Sequence, residues 1–392
     1  MINVFKSFLP LFCRDLKGNF VRRSLGIVLL AVLCTNITAC SKDDEGTITE
    51  NPGDGTAENP FKVYDLASLQ KVGTGTDGWT LNAHYLQVAN IDVGSIDNWK
   101  PIGRTENEPF TGGYDGGGFS IQHLKINIPS ASYQGLFGYT ETPGTVIKNI
   151  ALTDVSIVGG FSVGGIVGRN GAGKIQNCYV TGNISGSNRV GGIAGQNLGG
   201  LITDCYTTCN LTSKGTGAGG IAGNLNENIM YLNEITIVQY CYATGNVSIT
   251  NNDGYNIGGI TGYSSKAVTK NCVALNKEVK MGRSDIYHRI GRVLPIKGTN
   301  NFARATGMVL QYNTNSTPVN VDVGTDPTSD SKHGANVAAS DYNGVNSGEW
   351  WSGSSGPGFS ITSWSLAANR LPQLKTTAGG NFDQPQNPTV TP

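Results

Sequence analysis

The feature that most restricts the fold of this chain is a short glycine-flanked motif that returns at nearly constant spacing. Gly135-Leu136-Phe137-Gly138 is followed by GGIVG at 164–168, GGIAG at 191–195, GGIAG at 219–223 and GGITG at 258–262. Counted from Leu136 through Ile166, Ile193, Ile221 and Ile260, the intervals are 30, 27, 28 and 39 residues, the last lengthened by an insertion around 224–238. A second motif keeps phase with the first. Asn177-Cys178-Tyr179-Val180-Thr181-Gly182-Asn183 matches Asp204-Cys205-Tyr206-Thr207-Thr208-Cys209-Asn210 and Tyr240-Cys241-Tyr242-Ala243-Thr244-Gly245-Asn246. Asn271-Cys272 begins a further copy, and 289–292 and 300–303 fall in phase with the two motifs, so the repeat runs to about residue 305. A fixed period of this length marks a stack of like units, because one such unit cannot bury its own apolar face.

The local pattern predicts strands. Cys178 and Val180, Cys205 and Thr207, and Cys241 and Ala243 are two apart and share one face of an extended segment, with the tyrosines on the other. Apolar segments of four or five residues broken at Gly and Asn, without a helical period, favour an all-β parallel β-helix, or β-solenoid, of 27–30-residue units. Each buried apolar side chain in such a stack contributes about 1.5–3 kcal/mol. Gly supplies 55 of 392 residues without a collagen-like period, and the Gly pairs fit corners of positive φ or close backbone approaches. Two outward and inward rows follow: Tyr179, Tyr206 and Tyr242 as an exposed aromatic stripe, and Cys178, Cys205, Cys241 and Cys272 as a buried ladder. The stripe suits either strand stacking or the binding of sugar rings or protein. With Cys209 the mature-chain thiols are odd in number, and in-register parallel geometry suits the disulfide torsion poorly, so free thiols are expected.

The ends differ from the middle. Arg22 and Arg23 precede a short apolar run and then Ile37-Thr38-Ala39-Cys40, the pattern of an export signal over 1–39 with Cys40 as a lipidated first mature residue. Residues 40–60 read as a flexible acidic linker, and Ser41, Lys42, Asp43, Asp44 and Glu45 resemble the surface-export signal of Bacteroidetes lipoproteins. An outer-membrane location, lipid-anchored and facing outward, follows from that reading. Residues 61–130 form an N-terminal cap and first turns, with a short helix N-capped by Asp65, and 131–305 form the repeat solenoid. Residues 306–348 match no repeat and read as an irregular insertion, 349–378 as a Trp-rich closing turn, and 379–392 as a disordered tail.

Taken together, GGIxG and NCYxTGN resemble the GLUG-motif repeats, named for the Gly-Leu-x-Gly element seen as Gly135-Leu136-Phe137-Gly138, over roughly residues 57–378. Residues 110–121 match that family's opening turn and Leu371-Pro372 its exit. The resemblance implies a β-helix-like module found beside IgA1-protease-like peptidases and alone in Bacteroidetes surface lipoproteins, with adhesive or structural roles and no implied reaction.

Catalytic chemistry finds little support in the residues. His84, His123, His288 and His333 include no HExxH pair, no P-loop occurs, and no His lies near the cysteines to complete a zinc site. Asp115, Asp154 and Asp204 are scattered singly, which weakens the alternative of a carbohydrate-active β-helix enzyme, and Arg283, Asp285, His288, Arg289 and Arg292 read as a solvated variant turn. No catalytic residue, metal or cofactor is expected. Beyond the leader, 23 basic residues face 27 acidic ones, a poor match to nucleic acid. The expected partners are the outer membrane through the lipid, and a host or bacterial glycan or surface protein.

Overall fold

The computed structural model describes residues 52–226, 235–282, 289–294, 296, 298–314 and 317–390. Cys40 and the acidic cluster 41–45 lie outside the described residues, as do 283–288.

The repeat folds as a parallel β-solenoid whose turns each pass through four faces. In one turn these are Phe161–Gly164, Val167–Asn170, Lys174–Gln176 and Tyr179–Gly186. Each face stacks in register on its counterpart: Val163 on Val190, Val167 on Ala194, Ile175 on Ile202, and Tyr179 on Tyr206. The third face reaches eight strands, from Phe61–Val63 to Val268–Lys270, so the solenoid starts well before the first clear repeat. Past the expected limit, Ala335–Val337 adds one more strand beside Phe302–Arg304.

The interior is a continuous column of Ile166, Ile193, Ile221 and Ile260 with Ile184, Leu211, Val247 and Val279, all essentially inaccessible. Cys178, Cys205, Cys241 and Cys272 line this interior as free thiols, each donating to the carbonyl two residues earlier at 3.0–3.2 Å. Burial raises the pKa values of Cys178 and Cys241, in keeping with a neutral, apolar filler. At the N-terminal end the helix Leu66–Lys71 is capped by Asp65, whose carboxylate accepts from the Ser68 amide at 2.7 Å, and Leu69 is buried against the core.

Close approach, not positive φ, explains the paired glycines. A Cβ on Gly220 would stand 2.1 Å from the Gly259 carbonyl oxygen of the next turn, and one on Gly192 would stand 2.4 Å from that of Gly220. The closing glycine has a separate task. A Cβ on Gly195 would lie 2.4 Å from Val163 N, and one on Gly223 would lie 2.5 Å from Val190 N. The motif therefore lets the second face press against the backbone of the first, and leaves a cleft in the angle between them.

Positive φ recurs from turn to turn in two columns elsewhere. Asn149, Asn177, Asp204, Tyr240, Asn271 and Asn300 form one left-handed column, between the third and fourth faces. Tyr133, Ser162, Arg189, Gly217 and Asn256 form the second, at the start of the first face.

The C-terminal segment differs from expectation in three respects. Residues 306–348 are not irregular throughout: Val309–Thr314 and Thr317–Asn320 pair antiparallel, and the helices Ala339–Asn343 and Ser347–Ser352 follow. The Trp-rich segment closes the solenoid along its side, because the fourth face presents a row of aromatic rings that needs a cover. The tail is also packed through Phe382, which is buried against Tyr179, rather than disordered from Gly379.

Candidate binding groove and the covered tyrosine column

The aromatic stripe exists but is not exposed. Tyr179 and Tyr206 stack with centroids 4.9 Å apart, and Tyr206 and Tyr242 stack at 5.0 Å, in planes tilted by only 4° and 1°. All three are buried, because the C-terminal segment runs back along them as a strap. Trp351 lies on Tyr242, Trp364 on Tyr242 and Tyr206, and Phe382 on Tyr179. The Tyr242 hydroxyl donates to the Pro372 carbonyl at 2.6 Å. Burial raises the pKa values of Tyr206 and Tyr242 well above the usual phenol range. The expected exposure is thus corrected: the stripe is covered, and of the two roles it suited its burial favours strand stacking.

The first left-handed column is the other half of that seam. Asn300 Nδ2 donates to the Gly356 carbonyl at 3.4 Å, Tyr240 meets Phe359 edge-on, and Asp204 accepts from Trp364 Nε1 at 3.1 Å. Asn177 donates to the Lys375 carbonyl at 2.9 Å, and Asn149 exchanges bonds with Thr377 at 2.9 and 3.0 Å. The strap is thus read by successive turns in reverse order, ending where Asp383 meets Asn90 and its amide donates to Gly118. Among these contacts the Asn or Asp of the NCY motif supplies both the left-handed corner and the hydrogen bond.

The cleft between the first and second faces remains open. It encloses about 500 Å³ and is lined by Arg169, Arg189, Gln196, Asn224, Asn256 and Tyr263, with Tyr255 and Arg289 at one end. One wall is a register column from the second face: Tyr139, Arg169, Gln196, Asn224 and Tyr263 on successive turns. The other is the second left-handed column, Ser162, Arg189, Gly217 and Asn256, continued by Arg289. Three guanidinium groups stand over rings: Arg169 over Tyr139 at 4.9 Å, Arg189 over Phe161 at 5.7 Å and Arg289 over Tyr255 at 5.2 Å. Arg169 also donates to Glu106 at 2.7 Å. Burial, and then the neighbouring Arg169, lower the pKa of Arg189. Such a lining supplies planar cationic donors, amides and ring faces.

Sequence reasoning passed over this cleft. Arg169 follows the closing glycine of one motif and Arg189 precedes the opening pair of the next, so both columns sit at fixed offsets from GGIxG. The signal was the change from Arg to Gln to Asn to Tyr at one offset, visible only once the register was known. Of the charged group near 289, Arg292 is not solvated: it is buried, donating to the carbonyls of His333, Arg304 and Gly334 at 2.9–3.1 Å. Burial lowers its pKa to about 10 and that of His333 to about 4, the latter with help from Lys332 and Arg292.

No group of three or more His, Cys, Asp or Glu side chains fit for a metal occurs among the described residues, and no described helix is long and apolar enough to cross a membrane. The GLUG motif matches residues 159–185, one full turn that contributes Arg169 to the cleft. Among curated proteins, halomucin of Haloquadratum walsbyi is 34% identical over 146 residues, 35% of this chain but 2% of that protein. A protein of Evansella cellulosilytica described as a candidate Gly-rich membrane protein is 31% identical over 136 residues, 33% of this chain and 15% of its own length. The chain thus spans only a small part of either relative. Among solved structures, a candidate immunoglobulin A1 protease of Bacteroides ovatus superposes with a TM-score of 0.60 at 20% identity, covering 84% of this chain and 94% of that one, which shows a shared fold. The chain is accordingly a parallel β-solenoid in which one turn, residues 159–185, matches the GLUG motif.

Proposed function

We propose that the protein is a non-catalytic binding module of the cell surface, held to the outer membrane by a lipid on Cys40 and engaging its ligand through the open cleft. The observation that carries this reading is the contrast, among the described residues of the cleft, between abundant ligand-holding groups and little that would turn a ligand over. Arg, Asn, Gln and Tyr line it, and the carboxylate placed against it, Glu106, is engaged by Arg169 and by the Tyr133 hydroxyl at 2.9 Å. Glycoside cleavage needs two carboxyl groups facing one bond. The export pattern around Cys40 and the membrane description of the Evansella cellulosilytica relative support the location.

The test combines location with turnover. Cells producing the intact chain should incorporate labelled fatty acid into it, lose the label on Cys40→Ala, and yield its peptides when shaved by external protease. Purified protein incubated with a panel of polysaccharides should bind members of the panel without releasing shorter fragments. Fragment release would replace the binding reading with an enzymatic one.

A further inference from the structure

We propose that the cleft is a site for an anionic glycan, whose carboxylate or sulfate groups are received by Arg189 with Arg169 and Arg289 flanking it; this rests on the binding-module reading above.

Three independent features converge on this assignment. The first is backbone geometry. Arg189 holds φ 58, and Tyr133, Ser162 and Asn256 hold φ 56, 60 and 66 at the same offset in other turns. A side chain in this region costs roughly 1–2 kcal/mol relative to glycine, and Arg has no short polar group to recover it locally as Asn does. Gly217, with φ 79, occupies the corresponding place between Arg189 and Asn256, so a strain-free residue is acceptable there. Retained strain at a solvent-facing cleft is characteristic of residues kept for what they bind.

The second is the shape of the floor. Gly217 removes one side chain from the wall, and a Cβ there would meet the Gly223 carbonyl oxygen at 2.9 Å. No side chain therefore stands between Arg189 and Asn256 on this wall. Arg189 and Arg289 lie three turns apart, about 14 Å at the usual strand spacing, with Asn256 between them. A linear polymer lying along the stack would present repeated groups to repeated turns.

The third is the chemistry of the lining. Guanidinium groups bond carboxylate and sulfate through paired donors, carboxamides bond vicinal hydroxyls, and ring faces cover the apolar side of a sugar. Phe161 and Tyr255 are 47% and 38% exposed beside these arginines, and Asn224 and Asn226 follow in adjacent positions of the wall. An acidic peptide would want apolar sockets for its side chains, and among the described residues of the lining Leu198 is the one that is aliphatic.

The experiment is a set of titrations of the purified protein with polygalacturonate, dextran sulfate, neutral dextran and poly-glutamate, at low and high salt. Binding to polygalacturonate or dextran sulfate is expected, weakening with salt, and the stronger of the two identifies carboxylate or sulfate as the group received. Arg189→Gly should weaken it about tenfold or more while preserving thermal stability, since glycine suits the backbone there. Asn224→Ala, at an ordinary φ, should weaken it less and provides a second variant independent of the corner. The proposal is overturned if neither anionic glycan binds, if Arg189→Gly leaves affinity unchanged, or if poly-glutamate binds as tightly. Binding of neutral dextran alone would overturn it too, while leaving the binding-module reading in place.

Discussion

The solenoid carries two columns of left-handed residues, and they are used in opposite ways. The column from Asn149 to Asn300 is dominated by Asn and Asp, which tolerate positive φ because their short side chains bond nearby groups. Those side chains are consumed by the strap, and the tyrosines next to them are sealed. The column from Tyr133 to Asn256 holds residues as ill-suited as Arg and Tyr, and it borders an open cleft. One corner spends its polar groups on holding the strap, and the other, though Ser162 and Asn256 are buried, sets Arg189 on the open cleft. The same backbone repeat therefore yields a structural seam and a receptive surface, decided by which side chains ride on it and by whether the C-terminus returns to cover them.

Four substitutions sharpen that contrast. Trp364→Ala should have the largest effect, since it removes a fully buried ring from Tyr206 and Tyr242 and leaves Asp204 without its indole partner. A loss of about 3–5 kcal/mol is expected in denaturant unfolding. A loss under about 1 kcal/mol would mean the seam is not packed as described.

His333, at the root of the strap, gives the next effect. Its folded pKa of about 4 lies below the ordinary imidazole value of 6.5, so the unfolded chain takes up the proton first. The contribution of the neutral form is complete above about pH 6.5 and is lost as pH falls towards 4, amounting to about 3 kcal/mol. His333→Asn should flatten the stability profile by that amount in this window; an unchanged slope would contradict the burial.

Asn177→Ala should cost about 2 kcal/mol, combining positive φ on a residue unable to bond locally with the loss of the Lys375 contact. Arg189→Gly reverses the sign, with a gain of about 1 kcal/mol from relieved backbone strain. Equal destabilisation at both corners would erase the distinction between them.

Much of the fold was readable from the chain because a repeat makes each position vote several times. The in-phase motifs placed the strands and the Ile and Cys columns where the structure has them, and an N-cap residue ahead of an apolar stripe did the same for the Asp65 cap. What stayed hidden was non-repetitive. Trp350, Trp351, Phe359 and Trp364 announced a closing element, but whether it seals an end or a flank depends on contacts more than a hundred residues away, such as Trp364 with Asp204. The outward direction of Tyr206 was legible, and its burial was not. The cleft was missed because the glycines were read as corners or close approaches without the register that shows which two faces they draw together.

Tyrosine nitration of the folded protein, read residue by residue by mass spectrometry, tests the division into a sealed and an open side most directly. Tyr64, Tyr255 and Tyr263 should be modified, while Tyr179, Tyr206 and Tyr242 should be spared until the protein is unfolded. Modification of Tyr206 and Tyr242 at the rate of Tyr255, with the solenoid intact, would show that the strap does not cover them.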